Sequence, residues 1–231
     1  MAVSHALLNR STKDGRESLR LWRPLSAALS LRRLDVRHPH LPEVLALARA
    51  AGVAPVRRLA GGHAATLDSG SLCLGWAHPH PRLEESGARY ELIAEAIVEA
   101  LAELGVQSSL GESAGEWCPG AWSVQGRSGK LAGLAQRVVS GGAWCEALIV
   151  IDAAAELRDL ARRVHEVLDL EWSDAAQGEL AELVPGAPDL HEALAGRLTG
   201  ALSRRLGPVE RRPLPRDVHD DARALAAEHR F

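Results

Sequence analysis

The sequence predicts an α+β protein with a mixed, mostly antiparallel sheet flanked by helices and a helical C-terminal part. Three observations support this class. Short segments in which apolar and polar residues alternate recur through the first two thirds of the 231-residue chain. Glycine turns separate successive strands in the middle of the chain, which is typical of antiparallel hairpins. Helical spacing dominates the last third, and strands followed by helices are typical of α+β proteins.

The first elements are short strands around one helix. A helix is predicted over residues 42–51, because Pro42 suits a first helical turn and Gly52 follows its last residue. The segment 77–82 holds two prolines and is predicted as a loop, since proline cannot donate to a central strand ladder. Strands, of which we expect the first two to pair, are predicted at residues 18–22, 27–31, 53–59 and 71–76.

The middle of the chain opens with its strongest helix signal, from the N-cap candidate Ser86 to Gly105. A three-stranded meander follows, with strands predicted at residues 121–125, 130–139 and 143–151. The last third is predicted to hold four helices, the first capped by Asp152, at residues 153–170, 174–183, 189–206 and 218–230. We therefore expect a principal domain at residues 17–206 and a C-terminal tail with a short helix at residues 207–231.

Composition excludes several classes of protein. Hydrophobic residues make up 46% of the chain and the net charge is −3, so a buried core is expected and a polycation is not. Acidic residues intersperse the arginine doublets, and the histidines lack zinc-ligand spacing, so we predict neither a nucleic-acid partner nor a metal site. No stretch approaches the roughly 20 apolar residues of a membrane span. The first 15 residues lack a secretory apolar core, which predicts a cytoplasmic protein without membrane contact.

Two residue types are unusually scarce. The 27 basic residues include two lysines, and a lysine kept where arginine is otherwise preferred is a candidate for a role that needs an ammonium group. Lys130 is that candidate, whereas Lys13 lies in a polar stretch and is expected at the surface. The three cysteines, Cys73, Cys118 and Cys145, form no paired framework, which argues against a disulfide scaffold.

Two segments carry residues suited to chemistry. In Arg57-Arg-Leu-Ala-Gly-Gly62, a guanidinium that can meet a carboxylate or phosphate precedes a double glycine that lets backbone approach a ligand. In the second segment, residues 115–137, Cys118 lies in a Pro-Gly loop and Lys130 opens the return strand of a hairpin. The hairpin brings the ammonium toward the sulfur, and a nearby cation increases the thiolate fraction. The alternatives are an ordinary glycine turn, and a buried cysteine with an exposed lysine.

Together these segments resemble the lipoate–protein ligase and lipoyl/octanoyl transferase family, whose fold is the biotin/lipoate protein ligase catalytic domain. The family's arginine-glycine stretch corresponds to residues 57–62, and its Gly-x-Lys motif to Gly129-Lys-Leu-Ala-Gly-Leu-Ala-Gln-Arg137. Glu116-Trp-Cys-Pro-Gly120 is similar to the Glu-Tyr-Cys-Pro-Gly segment of the branch that includes cysteine-dependent octanoyl amidotransferases. The resemblance runs from about Leu19 to Asp152, so residues 17–206 are expected to form the catalytic domain.

The resemblance implies roles for individual residues. Cys118 matches the nucleophile that takes an acyl chain as a thioester, and Cys145 on the next strand is the alternative nucleophile. Lys130 matches the lysine that contacts the acyl carbonyl or an acyl-adenylate, as an oxyanion stabiliser or as a base. The substrate-binding residues implied by the resemblance are Arg58, Gly61, Gly62, His63 and Gly133.

Departures from the family pattern weaken the expectation of adenylate formation more than that of acyl transfer. Ala60 replaces a Ser or Thr, His63 replaces a third glycine of the ligases, and Leu67 replaces a ligase histidine. The resemblance therefore implies an acyltransferase that moves an octanoyl or lipoyl group onto the lysine of a lipoyl domain, without a cofactor. The alternatives are an ATP- and Mg-dependent lipoate–protein ligase and a non-catalytic protein that binds an acyl chain or a lipoyl domain.

The same resemblance implies the partners. The donor would be the glycine cleavage H protein or an acyl carrier protein. The acceptor would be a lipoyl-domain protein such as a 2-oxoacid dehydrogenase acyltransferase subunit.

Overall fold

Two sheets of unequal size organise the chain, and the computed structural model describes all of its residues, 1–231. The helices are α1 (Ala2–Asp14), α2 (Leu41–Ala50), α3 (Ser86–Ala102), α4 (Ala155–Val167), α5 (Leu190–Leu206) and α6 (Arg216–Leu225). The strands are β1 (Ser18–Trp22), β2 (Ala28–Leu31), β3 (Ala54–Arg57), β4 (Ala65–Leu67), β5 (Ser71–Pro79), β6 (Ser109–Leu110), β7 (Val124–Gly126), β8 (Gly129–Val139) and β9 (Gly142–Val150). No helix combines the length and apolar character that a membrane crossing requires.

The larger sheet is antiparallel throughout, in the order β1-β5-β9-β8-β7-β6, and the smaller sheet has the order β3-β2-β4 with β2 and β3 parallel. Helices α3 and α5 cover one face of the larger sheet and form the main core with side chains such as Leu74, Ile97 and Leu198. Helices α1 and α6 pack on its opposite face, around Trp144. Helices α2 and α4 pack on the smaller sheet. The predicted α+β class with a mostly antiparallel sheet is confirmed.

The pairing expected for strand β2 is wrong. Strand β2 forms at residues 28–31 but pairs with β3 and β4 in the smaller sheet, whereas β1 pairs with β5. The buried side chains of Leu29 and Leu31 explain this choice, because they join Val44 and Leu160 in the core beneath α2 and α4. The pairing of such a strand is determined by contacts with helices 10 or more residues away, and the alternation of apolar and polar residues within the strand does not reveal those contacts.

Two loop and helix predictions are also wrong. Strand β5 continues through Pro79, within the segment predicted as a loop. Pairing with β1 ends at Ala77, so Pro79 pairs with β9 alone and its missing N–H interrupts no second ladder. The predicted helix 174–183 is reduced to one 3-10 turn at Asp174–Ala176. Its continuation is held in an irregular path because Gly178 N donates to Lys130 O (3.2 Å).

Helix ends differ from prediction as well. Asp152 does not cap α4, which begins at Ala155 without a side-chain cap, and Ser86 lies inside α3 rather than at its N-cap. By contrast, the side chain of Asp189 accepts a hydrogen bond from Glu192 N and so caps α5, which begins one residue later.

Helix α1 was not predicted at all. Its pattern is weak, because its buried face includes Ser4 and Ser11 beside Leu7. Helix α1 packs against α6, which follows residue 206 in the chain. The division into residues 17–206 and 207–231 stays a prediction.

Candidate active site

An apolar cavity lies on the α1 side of the larger sheet, where that sheet faces the smaller one. It encloses about 480 Å³ of empty space, its open mouth included, and 11 of its 15 lining residues are hydrophobic. Its floor is a row of residues that the strand registers place side by side on β1, β5, β9 and β8, namely Trp22, Cys73, Leu148 and Gly133. Such a cavity suits the hydrocarbon part of a ligand.

Cys118 lies at one wall of this cavity, in an unusual backbone conformation. Its φ of 45° falls in the left-handed region, which residues other than glycine rarely adopt. Its sulfur accepts a hydrogen bond from the backbone N–H of His63 (3.1 Å), and Nη2 of Arg58 lies 3.9 Å from the same sulfur. The sulfur thus faces two hydrogen-bond donors, a backbone N–H group and a guanidinium.

Lys130 explains how this backbone conformation is held. Its Nζ donates to two consecutive carbonyls, those of Trp117 and Cys118 (both 2.8 Å), and to Glu116 Oε1 (3.1 Å). The ammonium is fully buried and lies 4.3 Å from the centre of the Trp117 ring. Burial lowers the pKa of Lys130, while the neighbouring acidic groups of Cys118 and Glu116 oppose that shift. The sequence-predicted pair therefore meets at the Cys118 carbonyl oxygen.

Glu116 organises the rest of the segment 111–125, which we call the cysteine loop. This buried carboxylate accepts hydrogen bonds from five donors, which are Lys130 Nζ, Gly120 N, Ser123 Oγ, Ser113 N and Gln125 Nε2. A carboxylate with several donors is a strong local constraint in a buried site. Glu116 was quoted in the sequence motif but not singled out as a site residue.

The glycine loop, residues 58–63, faces the cysteine loop. At Gly62, with φ 88°, an added Cβ would lie 2.4 Å from the Cys118 sulfur and 2.8 Å from Arg58 Nη2. At Gly61 an added Cβ would make an ordinary contact, 3.8 Å from Gln136 O. Arg58 Nη2 donates to the carbonyl oxygen of His63 and so closes the loop on itself. The close approach expected of the double glycine thus occurs at Gly62.

Gly133 provides space on the cavity floor. An added Cβ there would lie 2.7 Å from the ring of Trp117 and 3.0 Å from Cε of Lys130. The glycine therefore lets the Trp117 ring and the Lys130 stem pack directly on β8.

His63 contributes its backbone to the sulfur and its side chain to a polar chain. Arg32 Nη2 lies 3.1 Å from His63 Nδ1, and Arg32 Nε donates to Asp35 Oδ1 (3.1 Å). A guanidinium can donate but not accept, so Nδ1 accepts and the ring proton resides on Nε2. Burial, and after it the Arg32 charge, lowers the pKa of His63. Neither Arg32 nor Asp35 was identified from the sequence.

The other two cysteines differ from Cys118 in their surroundings. Cys145 belongs to the main core beneath α3, and burial raises its pKa to about 12. Burial also raises the pKa of Cys73, on the cavity floor, to about 12. Both thiols remain protonated near neutral pH, which makes them poor nucleophiles.

Solved structures with a similar fold identify the class of this domain. A lipoate-protein ligase A bound with ATP superposes with a TM-score of 0.77 at 16% identity, covering 98% of this chain and 88% of that one. A bi-partite lipoate protein ligase with its E2 lipoyl domain from Thermoplasma acidophilum gives a TM-score of 0.72 at 16% identity, covering 98% and 86%. The protein thus has the fold of the lipoate protein ligases.

The chain belongs to the lipoyl protein ligase A/B catalytic domain family, whose model matches residues 1–175. It is 31% identical over 137 residues to the octanoyl-[GcvH]:protein N-octanoyltransferase of Geobacillus kaustophilus, covering 58% of this chain and 48% of that protein. It is 29% identical over 150 residues to the protein of the same name from Exiguobacterium sibiricum, covering 65% and 53%. The chain spans about half the length of these curated relatives. The predicted family is confirmed.

Proposed function

We propose that the protein transfers an octanoyl group through a thioester on Cys118 to the lysine of a lipoyl domain. One observation carries the proposal: the Cys118 sulfur lines an apolar cavity and faces the His63 N–H and the Arg58 guanidinium. The cavity accepts the hydrocarbon chain, and the donors hold the sulfur beside it. The octanoyltransferase names of the relatives support this choice of acyl group.

The reaction balances in two steps. In the first, the Cys118 sulfur attacks the acyl carbonyl carbon, a C–S bond forms, and the C–N bond to the donor's lysine breaks as the thiol proton passes to that nitrogen. In the second, the amine of the acceptor lysine attacks the thioester, the C–S bond breaks, and the amine's proton returns to the sulfur. No ATP is consumed, because the amide of the donor is exchanged for the amide of the product.

Lys130 supports the nucleophile in this proposal. All three N–H bonds of its ammonium are occupied by Glu116 and by the carbonyls of Trp117 and Cys118. We assign it the role of holding the cysteine loop in the conformation that points the sulfur toward the cavity. His63 N–H, Arg58, Gly62 and Gly133 shape the surroundings of the sulfur and of the chain.

The proposed partners follow from the names of the relatives and of one structural neighbour. The relatives' names contain octanoyl-[GcvH], so an octanoylated glycine cleavage H protein is the proposed donor. A structural neighbour was solved as a ligase with its E2 lipoyl domain, so a 2-oxoacid dehydrogenase lipoyl domain is the proposed acceptor. An octanoylated acyl carrier protein is the alternative donor to be compared with the H protein.

The decisive experiment mixes the protein with octanoylated H protein and an apo lipoyl domain, with and without ATP. We expect transfer without ATP, an octanoyl adduct on Cys118 by mass spectrometry, and loss of both in Cys118→Ser, while Cys145→Ser retains them. Transfer by Cys118→Ser at the parent rate would contradict the proposal. Pyrophosphate release from ATP and free lipoate would assign the protein to ligase chemistry, and carrier binding without turnover of any donor would assign it a binding role.

A further inference from the structure

Several hydrogen-bond donors around Cys118 are already occupied, and this bears on how the acyl oxygen is bound. Each N–H of the Lys130 ammonium has an acceptor in the cysteine loop, and the His63 N–H is bonded to the sulfur. Arg58 Nη2 is bonded to the His63 carbonyl. A carbonyl attacked by sulfur develops negative charge on its oxygen, and that charge needs a donor that is free to meet it.

Two donors on the cavity wall are free. The hydroxyl of Ser30 has no hydrogen-bond partner although its side chain is 3% exposed, and Arg58 Nε is likewise buried without a partner. Both residues line the cavity together with Cys118. A buried polar group without a partner carries a desolvation cost, so most buried polar groups in native structures have a protein, ligand or water partner.

The register of the smaller sheet places Ser30 close to the sulfur. Ser30 lies directly opposite Ala65 in the antiparallel pair of β2 and β4, where facing Cβ atoms are about 4.5–5.5 Å apart. Ala65 itself packs against Trp117 and Cys118. The free hydroxyl therefore lies at the reactive end of the cavity, where the acyl carbonyl would be, and not along the path of the hydrocarbon chain.

We propose that the hydroxyl of Ser30 and the Nε–H of Arg58 together bind the acyl carbonyl oxygen when Cys118 is acylated. The inference rests on the proposed function. As the C–S bond forms, the carbonyl π electrons move to the oxygen, and the two donors stabilise this oxyanion. When the intermediate collapses, the electrons return, the bond to the leaving group breaks, and the oxygen stays hydrogen bonded as the thioester carbonyl. Ser30 is thereby a catalytic residue that a sequence pattern did not reveal.

The test uses p-nitrophenyl octanoate, an activated acyl donor that needs no carrier protein, with the 231-residue chain. We expect Ser30→Ala to slow the release of p-nitrophenolate in the acylation phase by about 10²-fold, which is typical of removing one oxyanion donor. Alkylation of Cys118 by iodoacetamide creates no oxyanion, so Ser30→Ala should alkylate at the parent rate. Ser11→Ala is the matched control, because Ser11 in α1 is also a buried hydroxyl without a partner but lies outside the cavity.

Every outcome bears on one of the two proposals. Equal acylation rates for Ser30→Ala and the parent would overturn the inference, as would a matching loss in alkylation, which would mean that Ser30 merely positions the sulfur. Absence of any octanoyl-Cys118 in the parent would instead contradict the proposed function. Removing an unpartnered hydroxyl leaves folding intact, so Ser30→Ala should unfold in urea at or above the parent midpoint. A lower midpoint with slow acylation and slow alkylation also counts against the inference.

Discussion

At the scale of single residues, the site depends on a buried ion pair that mainly holds the backbone of the cysteine loop in place. Glu116 and Lys130 are both excluded from solvent, and between them they bind backbone or side-chain groups throughout the cysteine loop. The left-handed backbone conformation of Cys118 is one consequence, because its carbonyl and that of Trp117 both accept hydrogen bonds from the Lys130 ammonium. Removing one partner of such a pair leaves an unpaired charge in a low dielectric.

We therefore predict that Glu116→Gln lowers the free energy of unfolding by about 3–5 kcal/mol. The amide nitrogen of glutamine cannot accept a hydrogen bond, so at least two of the five donors lose their acceptor, and the Lys130 charge loses its counter-ion. Urea unfolding measures the change. Glu112→Gln is the control, since Glu112 is exposed in the same loop and should change stability by less than about 0.5 kcal/mol. Equal stability of the two variants would contradict this account.

At this scale, the residue types in the sequence identified the reactive residues but not the residues that contact them in the folded protein. The scarcity of lysine marked Lys130, and the family motif marked Cys118, because both signals depend on residue type alone. The five donors to Glu116 and the free hydroxyl of Ser30 depend on which atoms meet after folding. Ser30 is one serine in a short apolar strand, and its importance follows from a strand register that alternation of residues does not determine.

At the scale of elements, the site is a contact between two loops, and glycine permits the contact. The glycine loop follows β3 of the smaller sheet, whereas the cysteine loop leads into and includes the start of β7 in the larger sheet. Gly62 is where the two touch, because its hydrogen atom leaves room for the Cys118 sulfur and for Arg58. Close backbone approach and a positive φ are two separate reasons for glycine, and Gly62 combines them.

We predict that Gly62→Ala slows alkylation and acylation of Cys118 by at least about tenfold, because its Cβ displaces the sulfur and the His63 N–H that binds it. Gly52→Ala is the matched control. Gly52 also has a positive φ (68°) but has nothing within 4 Å of an added Cβ, so it isolates backbone strain from the clash. We expect Gly52→Ala to lose about 1–2 kcal/mol of stability and no cysteine reactivity. Equal reactivity of the two variants would show that the loops do not meet as described.

Elements with their own periodicity were predicted well, and those that depend on distant contacts were not. Helices α2, α3 and α5 and the β8–β9 hairpin follow from apolar spacing and from turn glycines. The irregular segment after Ala176 does not form the helix expected from its local pattern, because its backbone bonds to Lys130 O and its Gln177 side chain bonds to Gly115 O. These are bonds to remote groups, and no local pattern in the sequence records them.

At the scale of the whole molecule, the two ends of the chain meet beside the strand that leads into the glycine loop. His5 Nδ1 of α1 lies 3.2 Å from His229 Nε2, and His229 Nδ1 lies 2.7 Å from Arg57 O. A carbonyl oxygen accepts, so His229 Nδ1 donates to Arg57 O, and a single proton lies between His5 Nδ1 and His229 Nε2. Residue 57 is the neighbour of the cavity residue Arg58. A second proton would set two N–H groups against each other at this contact and therefore opposes the closed arrangement.

The last prediction concerns acid stability of this junction. Burial, and after it His229, lowers the pKa of His5 below 6.5, with Arg137 acting in the same direction and Glu228 against it. The unfolded chain then binds more protons than the folded one below pH 6.5, so the free energy of unfolding falls as the pH decreases from 6.5. Urea unfolding between pH 7.5 and 5.5 should show a smaller loss for His5→Gln, whose amide still donates to His229, than for the parent. Exchange of α1 amides should accelerate over the same pH range in the parent.

His219→Gln, an exposed change on α6, should keep the parent's pH dependence of the free energy of unfolding. An unchanged pH dependence in His5→Gln would refute the assignment of the acid response to this junction.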